Sequence, residues 1–149
     1  MKKFEFRLDA ALRWRNTQLQ LERAKLQKLL GEEQRLKRDL QSLADERQAA
    51  LLELQTSQHL QSFDLRAISA YLVGADARTH LLREQIAKCA GPIQHQRQRL
   101  LEAERSVQLL ERLRENRYSE WKHAYDQEIE LGAEESWLAA NFRASNPQI

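Results

Sequence analysis

Glycine and proline are nearly missing from this chain: four glycines and two prolines in 149 residues. Sheet proteins reverse direction every few residues and use Gly, Pro, Asn and Asp to do it. So few turn formers exclude sandwiches, barrels and α/β folds. There is one cysteine, Cys89. It leaves no intramolecular disulfide and points to a reducing compartment. No apolar run approaches the roughly 18 residues that a membrane helix needs. Lys2 and Lys3 resemble the start of a secretion signal, but no apolar stretch follows them. The chain reads as cytoplasmic. Charge of one sign is lacking too. Lys and Arg number 24 against 22 Asp and Glu, for a net charge of +2. Acids interspersed among bases form pairs along a helix rather than a phosphate-binding stripe, which argues against a nucleic-acid partner. Residues 119–149 are mildly acidic, with two basic residues and six acids.

What remains is helical. The length is that of one ordinary domain. Hydrophobic residues make up 42%, too many for disorder. The mean hydropathy of −0.74 is low for a large core. A long helical assembly with a narrow apolar seam reconciles the two values.

A seven-residue repeat defines that seam. Leu12, Leu19, Leu26, Leu40 and Leu54 form one column, and Leu8, Leu29, Leu36, Leu43 and Ala50 the other. They alternate in steps of three and four, as coiled-coil a and d positions do. Of 15 seam positions from 8 to 57, ten are apolar; Arg15, Glu22, Glu33, Arg47 and Ser57 are the exceptions. Gln20, Gln27, Gln34, Gln41, Gln48 and Gln55 mark an outward column at the same spacing. A second series starts at Leu65 and runs through Ile68, Leu72, Ala75, Leu82, Ile86, Cys89, Ile93, Leu100, Ala103, Val107, Leu110, Trp121, Ala124, Leu131 and Leu138 without a slip in phase. The polar interruptions are Thr79, Gln96, Arg114, Arg117 and Glu128.

The stripe fails over Ser57–Asp64, where Ser62 or Asp64 is suited to cap a new helix. A short connection between long helices makes them antiparallel neighbours. The expected fold is therefore all-α, a long antiparallel two-helix coiled-coil hairpin. Its first arm covers 1–57, the turn 58–64 and the second arm 65–138, with a frayed tail over 139–149. The first arm is about 75 Å long at 1.5 Å per residue, and the second overhangs it. Gly91-Pro92 lies inside the second arm. Proline removes a helix hydrogen bond and clashes one turn back. Because the phase is the same on both sides, a kink in a continuous helix is preferred to a third segment starting at residue 93.

Catalytic and ligand-binding patterns are sparse. His59, His80, His95 and His123 have no ligand spacing among them. No glycine-rich phosphate loop is present. Glu32-Glu33 and Glu134-Glu135 are paired carboxylates, but a two-helix rod offers no cleft to shift their pKa values. No enzyme, metal or cofactor is expected.

The aromatics carry more. Eight of ten lie toward the chain ends: Phe4, Phe6, Trp14, Tyr118, Trp121, Tyr125, Trp137 and Phe142. A hairpin brings its two ends together, so these rings are expected to gather at the open end. Trp121 takes a seam position, whereas Trp14 points outward. Two helices have too little core to bury eight rings. Exposed aromatics beside Arg13 and Arg15 have the composition of a partner-binding surface. Near the turn, Leu72 and Ala75 are seam positions and Tyr71 lies beside the seam, which makes a second contact surface there a weaker candidate.

The opening run Phe4-Glu5-Phe6-Arg7-Leu8-Asp9-Ala10-Ala11-Leu12-Arg13-Trp14-Arg15 resembles the start of the flagellar export protein FliJ family. The chain length, the two heptad arms and the Trp121…Glu128…Leu131…Glu134 pattern are also similar. The resemblance covers most of the chain, with its sharp part in the first fifteen residues. It implies an antiparallel two-helix coiled coil in the flagellar type III export apparatus, similar to the stalk of rotary ATPases. The implied partners are the hexameric flagellar export ATPase, the export gate membrane protein and export chaperones. The implied location is cytoplasmic, peripheral to the inner-membrane export apparatus and without membrane insertion. The ATPase-binding end would comprise Phe4, Phe6, Leu8, Asp9, Leu12, Arg13, Trp14, Arg15, Tyr118 and Trp121. Tyr71 and Ala75 match the gate contact. The alternative reading of the residues is a generic coiled-coil scaffold or adaptor, or an injectisome stalk, with no flagellar role.

Overall fold

The computed structural model describes residues 2–59 and 61–145. It contains two α-helices, α1 (Asp9–Thr56) and α2 (Ser62–Ser145), packed against each other as an all-α hairpin. The described residues contain no strand. Two compact units divide the chain: Gln20–Glu102, and Met1–Leu19 together with Ala103–Ile149.

Within Gln20–Glu102 the seam follows the heptads. Every seam position from 22 to 54 and from 68 to 100 is buried or half-buried. Leu43, Ala75 and Ile93 are its core. Ala75 is a small seam residue at 3% exposure. Two polar pairs cross between the helices. Gln96, itself buried, donates its amide to Glu22, to the carboxylate and also to the main-chain oxygen at 3.1 Å. This hydrogen bond, chiefly, holds the Glu22 carboxyl below its ordinary pKa; burial opposes the shift and Lys25 assists it. Arg47 places Nε 3.1 Å from Asp76 Oδ1. That nitrogen is buried and makes no aligned hydrogen bond, so the pair is held by charge.

Within the other unit Leu12, Leu19 and Val107 are buried. Ala103, Leu110 and Trp121 are half-buried. Arg114 and Arg117, although at seam positions, are exposed. The chain facing them is no longer helical, because α1 begins only at Asp9.

The ends of the helices have local causes. The Leu8 carbonyl accepts the Leu12 N–H at 2.9 Å, and Asp9 opens the first turn with an acid. A carboxylate there offsets the positive end of the helix dipole. For α2, Gln61 is the capping residue: its carbonyl accepts the Leu65 N–H at 3.2 Å, and its own N–H donates to Asp64 Oδ2 at 3.3 Å. This is the reciprocal half of a capping box. Asp64 therefore caps from inside the helix, and α2 starts at Ser62 rather than at Leu65.

Two further boundaries differ from the sequence expectation, while the continuity of the second arm agrees with it. The first arm is helical from residue 9, not 1. Within 139–149, expected to fray, the helix continues to Ser145, because Ala139, Ala140, Arg143 and Ala144 are strong helix formers; residues 146–149 lie outside those described. No third segment starts at 93, since α2 runs unbroken through Pro92. Gly91 and Pro92 are exposed and the next residue, Ile93, is buried in phase. The lost hydrogen bond therefore falls on the solvent side, and the seam holds the helix together across it.

Candidate functional site

The unit built from the chain ends holds an aromatic clasp. Over residues 3–7 polar and apolar side chains alternate: Lys3, Phe4, Glu5, Phe6, Arg7. Period two belongs to an extended strand, not a helix. Residues 2–6 carry no helix, and Phe4 and Phe6 are half-buried while Lys3, Glu5 and Arg7 are exposed. A turn closed by the Asp9 N–H on the Phe6 carbonyl, at 3.0 Å, passes this segment into α1.

The segment lies along α2. Tyr118, Trp121 and Tyr125 follow helical spacing on one face, so their rings stack in series with centroids 5.7 and 5.2 Å apart. Phe4 meets Tyr118 edge-on at 5.2 Å and Trp121 at 5.9 Å. The Trp121 indole Nε1 donates to the Lys2 carbonyl at 3.1 Å. Two ring contacts and one hydrogen bond thus fix an otherwise irregular segment. Each aromatic pair is worth about 0.5–1.5 kcal/mol beyond the area it buries.

Beside the clasp is an open groove of about 1060 Å³. Phe4, Phe6 and Trp121 give it apolar walls. Lys2, Lys3, Arg7 and Arg117 bring four cations against the single acid Glu5. Such a groove can hold an apolar side chain next to a carboxylate or another anion.

The structure brings Phe4, Phe6, Leu8, Tyr118 and Trp121 together. Leu12 is buried at 5% exposure and supports this end from within the seam. Asp9 pairs with Arg13 at 3.2 Å one turn on, and the pair is exposed. Trp14 points outward at 56% exposure, with the Arg15 guanidinium 5.0 Å from its ring centroid. The eight rings do not all gather. Trp137 and Phe142 are exposed apart from the clasp, because α2 carries Trp137 about 24 Å beyond Trp121 at 1.5 Å per residue. In the other unit, Tyr71 is exposed but Ala75 is not: it is a seam residue, so its proposed role as a contact surface is corrected.

The sequence reading missed Lys2, Lys3, Arg7, Leu113 and Arg117 as groove residues. The alternation over 3–7 is the signal that would have found the segment. The pairing of the Lys2 carbonyl with Trp121 has no sequence signal, because a main-chain atom carries none. Among the described residues no helix is long and apolar enough to cross a membrane. Compared with known family models, curated proteins and solved structures, the chain matches none.

Proposed function

We propose that this chain is a non-enzymatic, stalk-like component of flagellar type III protein export. It binds the hexameric export ATPase through the end that holds residues 2–15 and 113–121. It promotes that enzyme and escorts export chaperones to the export gate, at the cytoplasmic side of the inner membrane. The observation that carries the reading is the clasp. In the run from Phe4 to Arg15, whose pattern resembles the FliJ family, half-buried Phe4 and Phe6 and the exposed Trp14 stand beside cations.

The physical logic is that of a rod meeting a ring of equal subunits. Such a rod needs a rigid seam and an outer surface that binds weakly enough to exchange. Alternating charges provide this, because exposed ion pairs contribute about 0–1 kcal/mol each. A broad apolar surface would hold one subunit and stall.

The test is ATP turnover by a flagellar export ATPase titrated with this protein. Turnover rises to saturation with the native chain. The rise is lost when Phe6, Trp14 and Arg15 are replaced together by alanine, and binding weakens with Arg13→Glu and Arg15→Glu while helicity is unchanged. No change in turnover, with no co-elution of the two proteins, would leave a coiled-coil scaffold as the reading.

A further inference from the structure

Beyond Trp121, α2 continues without a packed neighbour. Every described residue from 122 to 145 is exposed. The segment nevertheless keeps the seam phase that buries Val107 and half-buries Leu110 and Trp121. In that phase Ala124, Leu131, Leu138 and Phe142 fall on one face, interrupted by Glu128 and Glu135. The last three are 60%, 59% and 63% exposed. From 124 to 142 the stripe is about 27 Å long at 1.5 Å per residue. An established seam thus extends, in register, into a face that α1 does not reach.

Charge selects what fits there. Residues 122–145 contain five acids and two basic residues. Both bases, Lys122 and Arg143, occupy the outward column one position past the seam. Glu128 and Glu135 lie in the seam itself, and Glu134 lies beside it. A second copy pairing antiparallel on this stripe would set Glu134 and Glu135 against the same two acids of the other chain, near the centre of the overlap. Like charges in contact oppose association and suppress that partner. A helix with apolar residues at its own seam and Lys or Arg beside them meets both demands.

We infer that residues 122–145 of α2 are a docking surface for a basic amphipathic helix of another protein, which completes the seam that α1 leaves open. This surface adjoins the clasp at Tyr125, which stacks on Trp121, and extends away from it along α2; it does not depend on the export reading.

Two synthetic 24-residue helical peptides test it. Both carry Leu at a and d; one has Lys and the other Glu at e and g. Each is labelled with fluorescein and titrated with the full chain by anisotropy. The Lys peptide binds saturably and the Glu peptide at least tenfold more weakly. Leu131→Ser with Leu138→Ser weakens the Lys peptide tenfold or more, although every charge is kept. Glu134→Lys with Glu135→Lys reverses the preference. Circular dichroism checks that both variants keep the helical content of the native chain. Equal binding of the two peptides overturns the inference, as does Lys-peptide binding unaffected by the leucine changes. Sedimentation of the native chain as a dimer that the leucine changes dissociate assigns the face to a second copy, and also overturns it.

Discussion

Replacing Trp121 with phenylalanine removes one identifiable interaction from the clasp. The ring stays aromatic and keeps its place between Tyr118 and Tyr125, but the Nε1–H that donates to the Lys2 carbonyl at 3.1 Å is gone. A neutral hydrogen bond contributes about 1 kcal/mol net, so the segment 2–8 should detach about fivefold more often, given tenfold per 1.4 kcal/mol. Phe4→Ala removes two ring contacts, at 5.2 and 5.9 Å. At about 0.5–1.5 kcal/mol each they sum to roughly 1–3 kcal/mol, a five- to 150-fold increase in opening. Trypsin cleavage after Arg7 reads this directly, because proteolysis of a transiently opened segment follows its open population when reclosing is fast. Mass spectrometry follows the Arg7 product against cleavage after Arg143, in the exposed part of α2, as an internal standard. The order expected is native, Trp121→Phe, Phe4→Ala. Equal Arg7 cleavage in all three would refute the clasp as the element that holds the N-terminal segment.

Two further outcomes concern stability. The Glu22 carboxyl has its pKa lowered in the folded chain, first by the Gln96 amide. Its stabilising contribution is present above the unfolded carboxylate pKa and is lost as pH falls through the lower folded value. Melting temperature should therefore drop more steeply in the native chain than in Glu22→Gln between about pH 5 and pH 2; parallel curves would show that the pair has no linkage to folding. Pro92 sits inside α2, and the Cβ of an alanine at Gly91 would meet nothing within 4 Å. Pro92→Ala is expected to stabilise by up to about 3 kcal/mol and Gly91→Ala by about 1 kcal/mol. At about 2–4 °C per kcal/mol for a chain of this size, the pair raises the melting temperature visibly by circular dichroism. A decrease would mean that the seam depends on the geometry proline imposes.

Periodicity made most of the architecture readable without coordinates. A leucine every seventh residue specifies which face is buried wherever both helices are present, so Leu12, Leu19, Leu43, Ala75, Ile93 and Val107 were all assigned to the seam from their spacing and are all buried. Unbroken phase across Gly91-Pro92 identified one helix, for the same reason. Of the eight end aromatics expected to gather, Phe4, Phe6, Tyr118, Trp121 and Tyr125 do, whereas Trp14 points outward and Trp137 and Phe142 stand apart.

Tertiary structure decided what periodicity cannot express. A heptad states which face is apolar but not whether another helix arrives to cover it. Arg114, Arg117, Leu131 and Leu138 hold seam positions and are exposed, because α1 starts at Asp9 and the described residues before it are not helical. Which polar seam residues would pair, Glu22 with Gln96 and Arg47 beside Asp76, depended on the register between the helices, and register is set by the sum of contacts along the seam. The clasp is the clearest case. Four of its parts are side chains that the sequence displays, but the bond that closes it is made by the main-chain oxygen of Lys2, and every residue has one of those.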